Sequence, residues 1–198
     1  ATAAKKLNIK TYILSDDPEA PAKKFCDNFI ISDYNNIKNI EEFANKVDVV
    51  TFEFENIPYK ILEYIAKLKP VLPKPTVNQI IQNRFTEKKF ISNTAGAINE
   101  LEIKMTKYAL IKEKSDIFKN ENLLPGILKT CTLGYDGKGQ IVINNKDEIS
   151  KLEIDFNKEY ILEKKINLKK EISIIITRFL NNDCLIYEPF ENYHVDQM

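Results

Sequence analysis

The chain has 198 residues, 43% hydrophobic and 29% charged, and its 29 basic and 29 acidic side chains leave no net charge. That length allows one or two domains with a sizeable core, and the balanced charge gives no bulk attraction to nucleic acid or a membrane surface. No apolar run approaches a membrane span, and the opening ATAAKKLNIK has no signal-peptide core.

Ala1 to Leu7 reads as the tail of a helix, and Lys10 to Leu14 as a strand. A polar loop follows from Ser15 to Pro21, then a short strand at Phe29 to Ile31. Asn35 to Lys46 has helical spacing through Ile37, Ile40 and Phe43. Val47 to Phe54 is strongly β-prone. Pro58 to Lys69 is an amphipathic helix with Ile61, Leu62, Ile65 and Leu68 on one face. Val71-Leu72 is a last short strand, and Pro70 to Pro75 marks a domain boundary. Strands alternating with helices predict a parallel α/β layer over residues 1–73. In residues 74–198, Thr76 to about Asn93 reads as one helix and Tyr108 to Ile111 as extended. Ser115 caps a short helix beginning near Asp116. A hairpin follows, then a helix at Asp147 to Leu152. Strands are expected at Glu159 to Ile166, Glu171 to Arg178 and from Asp183 to Tyr187. This second region is α+β and mostly antiparallel.

The chemistry concentrates in PGILKTCTLGYDGKGQ, Pro125 to Gln140. An apolar run ends at Lys129, and Gly134, Gly137 and Gly139 then enclose Tyr135, Asp136 and Lys138. Glycines let backbone N–H groups turn toward an anion, and a lysine at a strand end partners phosphate charge. An ordinary glycine-rich hairpin stands level with that reading on the glycines alone. Glu163 closes an apolar strand and Lys164-Lys165-Ile166 leave it, where open backbone groups can read an adenine edge. Glu171 begins the next strand, where a carboxylate can accept from ribose hydroxyls. Solvated strand-end charges are the plain alternative for both. Arg84, on a helix, has pairing with Glu87 as its plain alternative. Glu53 and Glu55 share one face of a strand at the C-terminal edge of a parallel sheet. His194 is the only histidine, which excludes a histidine-rich metal site. Cys26, Cys131 and Cys184 are too far apart for a disulfide or zinc pattern, so a reducing cytoplasm fits best.

VVTFEFENIP, NRFTEKKF, PGILKT–LGYDGKGQ, YILEKKI–EIS and YEPFENYH, in that order, resemble the 5-(carboxyamino)imidazole ribonucleotide synthase family of ATP-grasp enzymes. The resemblance runs over nearly the whole chain. It implies an ATP-grasp fold preceded by a Rossmann-like pre-ATP-grasp domain that lacks its first strand. It also implies ATP-dependent carboxylation of 5-aminoimidazole ribonucleotide with bicarbonate, through carboxyphosphate, in purine biosynthesis. By the same resemblance Arg84 and Lys129 contact the phosphates of ATP, and Gly134, Tyr135, Asp136, Gly137, Lys138, Gly139 and Gln140 form a lid. Glu163, Lys164, Lys165 and Ile166 hold the adenine, Glu171 holds the ribose, and His194 lies against the nucleotide. Tyr135, Asp136 and Lys138 face the imidazole ribonucleotide, with Glu53 a weaker carry-over. Lys129, Asp136 and Lys138 are the implied catalytic residues.

The departures carry expectations too. Family members open with a strand and a Gly-Gln-Leu-Gly turn, and continue past the histidine to two magnesium-binding acids. This sequence contains neither, so magnesium is expected as a cofactor whose ligands lie outside it. The competing expectation is a partial polypeptide that binds nucleotide only or needs a missing half. A homodimer is the family's expectation for assembly.

Overall fold

The structure, a computed structural model, describes residues 1–97, 104–134 and 139–193. The chain divides into two compact units, Ala1–Phe90 and Ile91–Met198.

In the first unit, helix α1 (Thr2–Lys6) precedes strand β1 (Tyr12–Ser15), a 3-10 turn at Pro21–Phe25, and β2 (Asn28–Ile31). β1 and β2 pair in parallel. Asp27 fastens their start by accepting from the Thr11 N–H at 2.7 Å. Helix α2 (Ile37–Asn45) is capped by the Asn36 side chain, and α3 is Tyr59–Ala66. The two helices bury Ile40, Phe43, Ala44, Ile61, Leu62 and Ile65 against Val50 and Val71. Fully burying an aliphatic side chain stabilises by about 1.5–3 kcal/mol, so this set is what holds the unit together.

Strand β3 is only Val50–Thr51 and pairs in parallel with β4, Val71–Leu72. The predicted strand from Val47 to Phe54 is therefore much too long. Its partner sets the limit, because Pro70 and Pro73 flank β4 and neither can donate to a ladder. The parallel layer is present as two separate pairs. The single helix predicted from Thr76 is in fact two, α4 (Pro75–Ile81) and α5 (Arg84–Ala97). Asn83 makes the break: its side chain accepts from the N–H groups of Phe85 at 3.0 Å and Thr86 at 3.1 Å, restarting the helix.

The second unit centres on a four-stranded antiparallel sheet, in the order β5 (Tyr108–Ile111), β8 (Tyr160–Lys164), β6 (Gly126–Thr130), β7 (Gln140–Ile143). One face carries Ile111, Leu128, Ile143 and Leu162. Helices α6 (Lys114–Lys119) and α7 (Lys146–Ser150) cover it with Ile117 and Ile149. Helix α6 starts earlier than predicted and Ser115 is not its cap. Glu113 holds that position, and Asp116 turns back to accept from the N–H groups of Lys112 and Glu113. Cys131 is buried just after β6, with its N–H bonded to the Glu159 carbonyl at 2.9 Å.

The last described stretch differs from expectation. The predicted strand Glu171 to Arg178 is two strands, β9 (Glu171–Ser173) and β10 (Ile176–Arg178). They pair with different partners: β9 with β12 (Phe190–Asn192), and β10 with β11 (Cys184–Ile186). No described residue from Lys164 to Tyr193 is buried.

Candidate functional site

The β6–β7 hairpin supplies the frame. Alternation along β6 turns Leu128 into the covered core and leaves Ile127 and Lys129 on the opposite face. Lys129 stands opposite Gln140 across the hairpin, and opposite Ile161 of β8 on its other side. Gly139 closes the hairpin with φ of +74°, and its carbonyl accepts from the Thr130 N–H at 3.0 Å. A Cβ there would lie 2.9 Å from the Thr130 hydroxyl oxygen, so both backbone angle and space demand glycine. At the other end of β6, a Cβ on Gly126 would meet the Leu123 carbonyl at 3.0 Å and the Glu163 carbonyl at 3.1 Å. Gly126 thus sets how closely β6 approaches β8, a role that sequence reasoning did not assign. The signal was there in the Pro-Gly step that opens the strand.

Glu163 occupies the same face of β8. It stands opposite Ile127 of β6 and Tyr108 of β5. The diagonal offset brings its Oε2 within 3.0 Å of the Lys129 Nζ. Both side chains are largely enclosed, 19% exposed for Lys129 and 11% for Glu163. An ion pair so removed from water holds because each charge helps to satisfy the other, so losing one partner is costly. The ammonium has three donors, and the pair with Glu163 uses one of them. The predicted phosphate lysine and the predicted adenine-strand acid are thus direct neighbours.

The segment leaving β8 is more firmly tied than a free edge. Lys164 donates its N–H to the Lys107 carbonyl at 2.9 Å, and its own carbonyl accepts from the Thr106 hydroxyl at 2.7 Å. Lys165 donates to the Pro125 carbonyl at 2.8 Å. The expectation of open backbone groups at Lys164 is therefore corrected: both of its main-chain groups already have partners. Thr106 is another residue that sequence reasoning missed, since nothing local links it to a strand end 58 residues away. Ile166 is exposed. Glu171, at the start of β9, accepts from the Asn192 side chain at 3.1 Å.

In the first unit, Arg84 is the first residue of α5. Glu53 and Glu55 are not strand neighbours, because β3 ends at Thr51; both lie on the exposed loop beyond it. Gln82 of the α4–α5 junction donates to the Glu55 carbonyl at 2.6 Å and also to the Ile57 carbonyl. Buried Asn78 donates to the same Ile57 carbonyl at 2.9 Å. These bonds fix the loop's backbone while its carboxylates face solvent. Gly134 and Gln140 border the hairpin tip. Tyr135, Asp136, Gly137 and Lys138, together with His194, lie outside the described residues. Among the described residues no group of three or more His, Cys, Asp or Glu side chains is placed to hold a metal ion. No helix among them is long and apolar enough to cross a membrane.

Comparison with known proteins agrees with this architecture. A family model for the ribonucleotide synthetase preATP-grasp domain matches residues 1–82, and one for the ATP-grasp domain matches residues 96–198. The chain is similar to N5-carboxyaminoimidazole ribonucleotide synthase of Staphylococcus aureus strain COL, 32% identical over 201 residues, covering 100% of this chain and 52% of that protein. The enzyme of the same description from Bacillus subtilis strain 168 is 33% identical, covering 98% of this chain and 50% of that protein. A crystal structure of N5-carboxyaminoimidazole synthetase from Staphylococcus aureus complexed with ADP superposes with a TM-score of 0.88 at 32% identity, covering 99% of this chain and 52% of that one. The chain spans about half the length of the curated relatives it matches. With its preATP-grasp segment followed by an ATP-grasp segment, the chain belongs to the ATP-grasp family and is a homologue of N5-carboxyaminoimidazole ribonucleotide synthase.

Proposed function

We propose that this chain is the nucleotide-gripping portion of an ATP-dependent ligase that carboxylates 5-aminoimidazole ribonucleotide with bicarbonate. The observation that carries this reading is the enclosed Lys129–Glu163 pair beside the glycine-closed hairpin. It holds the Lys129 ammonium where its remaining donors would meet a phosphate. Arg84 would add a second cation. The main chain at Lys165 and Ile166 would read the adenine edge. Glu171 would accept from the ribose, and His194 would lie against the nucleotide. The lid from Gly134 to Gln140 would keep water from the intermediate. Tyr135, Asp136, Lys138 and Glu53 would face the ribonucleotide.

In this reaction a bicarbonate oxygen attacks the γ-phosphorus of ATP and ADP departs, giving carboxyphosphate. The amine of the ribonucleotide then bonds to the carboxyl carbon, phosphate leaves, and the nitrogen loses a proton. Such phosphoryl transfer depends mainly on positioned charge. Among the described residues no cluster of acidic, histidine or cysteine side chains is placed to hold magnesium. The wide spacing of Cys26, Cys131 and Cys184 along the sequence suits a reducing cytoplasm as the place of work.

A second reading is favoured by one observation: the chain spans about half the length of its relatives. In that reading it binds nucleotide and does not turn over alone. Titration with ATP and ADP tests what the two share. Lys129→Ala should weaken binding by about tenfold or more, while Lys38→Ala on the exposed face of α2 leaves it unchanged. Equal effects of the two substitutions would remove the assigned pocket. Phosphate release dependent on both bicarbonate and 5-aminoimidazole ribonucleotide separates ligase from binder.

A further inference from the structure

The β5–β8 ladder ends on a side chain. Extending its register by one step from Tyr108 and Glu163 sets Lys107 opposite Lys164. In an antiparallel ladder such a hydrogen-bonded pair exchanges two main-chain bonds, and the next exchanging pair follows two residues on. One of the two bonds is made, from the Lys164 N–H to the Lys107 carbonyl at 2.9 Å. The return bond, from the Lys107 N–H, is absent among the described residues. The Thr106 hydroxyl takes its place and donates to the Lys164 carbonyl at 2.7 Å. That carbonyl is thus satisfied although the ladder stops. The next exchanging pair would have been Met105 with Ile166, and it does not form. Ile166 is exposed, and its N–H has no partner among the described residues. Thr106 is half-buried and braced on both flanks. The Ser92 hydroxyl of α5 reaches the Met105 sulfur at 3.5 Å and the Tyr108 hydroxyl at 3.1 Å. On the far side of the strand exit, the Lys165 N–H is held by the Pro125 carbonyl at 2.8 Å.

We propose that Thr106 is a positioning residue for the purine base. Its hydroxyl ends the ladder at Lys164, so that the Ile166 N–H is kept for a ligand instead of being spent on a longer β5. A lone main-chain donor selects for an acceptor. N1 of adenine is an acceptor, whereas N1 of hypoxanthine carries a hydrogen and cannot accept. Thr106 therefore tunes the choice between 6-amino and 6-oxo purines through the strand exit, without touching the base. Valine at this position keeps the shape and loses the donor. The Lys164 carbonyl is then without its partner, and the tie that fixes the direction of Lys165 and Ile166 is gone. This inference rests on the nucleotide reading above and adds to it a residue that acts on the base alone.

The test is calorimetric titration of the full 198-residue chain with ATP and with ITP, which share ribose and triphosphate and differ at the base edge. Thr106→Val should weaken ATP binding by about fivefold or more and leave ITP binding nearly unchanged, so the preference for ATP narrows. Thr106→Ser, which keeps the hydroxyl, should restore it. Lys129→Ala should lower both affinities by the same factor, because it acts on the shared phosphates. A merely structural role for Thr106 would also lower both together, and that result would overturn the proposal. So would a Thr106→Val chain that binds ATP as the natural one does, a Thr106→Ser chain that behaves like the valine variant, or a natural chain that binds ATP and ITP equally. In each of those cases the phosphate grip at Lys129 stands. A natural chain that binds neither nucleotide would overturn the nucleotide reading itself, and this inference with it.

Discussion

The two sheet regions of the second unit are built from the same kinds of residue and end in opposite states. In the β5–β8 sheet, Leu128, Ile143 and Leu162 are fully buried. In β9 to β12, Ile172, Ile176 and Ile186 are mostly exposed. β-branched and aliphatic side chains make good strands in both. What differs is the second layer. Ile117 of α6 and Ile149 of α7 lie over the first sheet, and no described residue plays that part for the second. A strand's sequence supplies an apolar face, but a core exists only where another element covers it.

That contrast can be broken most forcefully in the covered sheet. Leu162→Ala should cost the second unit about 3 kcal/mol in denaturant unfolding, while Leu185→Ala in β11 should stay within about 0.5 kcal/mol. Similar losses at both sites would mean that β11 is as well packed as β8. Next comes the enclosed ion pair. Lys129→Ala should destabilise by about 3 kcal/mol, because it removes one half of an enclosed ion pair. Pairing Lys129→Met with Glu163→Leu should restore much of that loss, and a double-mutant cycle measures the coupling. Gly126→Ala should follow at about 2 kcal/mol, since two main-chain carbonyls have to give way. A mild effect would show that β6 and β8 can separate freely.

The smallest effect concerns acid. Hydrogen bonding by the Lys112 N–H, and then by Lys119, holds the Asp116 carboxyl below its ordinary value. Its contribution is complete above the unfolded-state value and is lost as pH falls through the lower folded-state value. Asp116→Asn should therefore flatten the acid limb of the stability profile and leave the alkaline side unchanged. A profile of unchanged shape would remove Asp116 from the capping role.

The sequence made the helices legible where apolar spacing is regular, at Ile40 and Phe43 and again at Leu62 and Ile65, because periodicity is local. The β6–β7 hairpin was legible from its glycines and alternation. Extents set by distant partners were not. The length of β3 depends on prolines some twenty residues later, and the division of β9 from β10 depends on which later strand each one meets. Asn83 was readable as a cap only once a helix start was suspected there. For the site, Lys129 and Glu163 were both named from sequence for separate tasks. Their contact was not, because it depends on a diagonal register between strands 34 residues apart.

The three thiols fall one to a neighbourhood. Cys26 follows the turn before β2 and is half-shielded, Cys131 is sealed behind the hairpin, and Cys184 is open on β11. The natural sequence thereby carries its own set of chemical reporters. Under a mild alkylating reagent, Cys184 should react first and Cys131 last. A change in the speed of any one of them would reveal which neighbourhood had opened or closed, without a single residue being replaced.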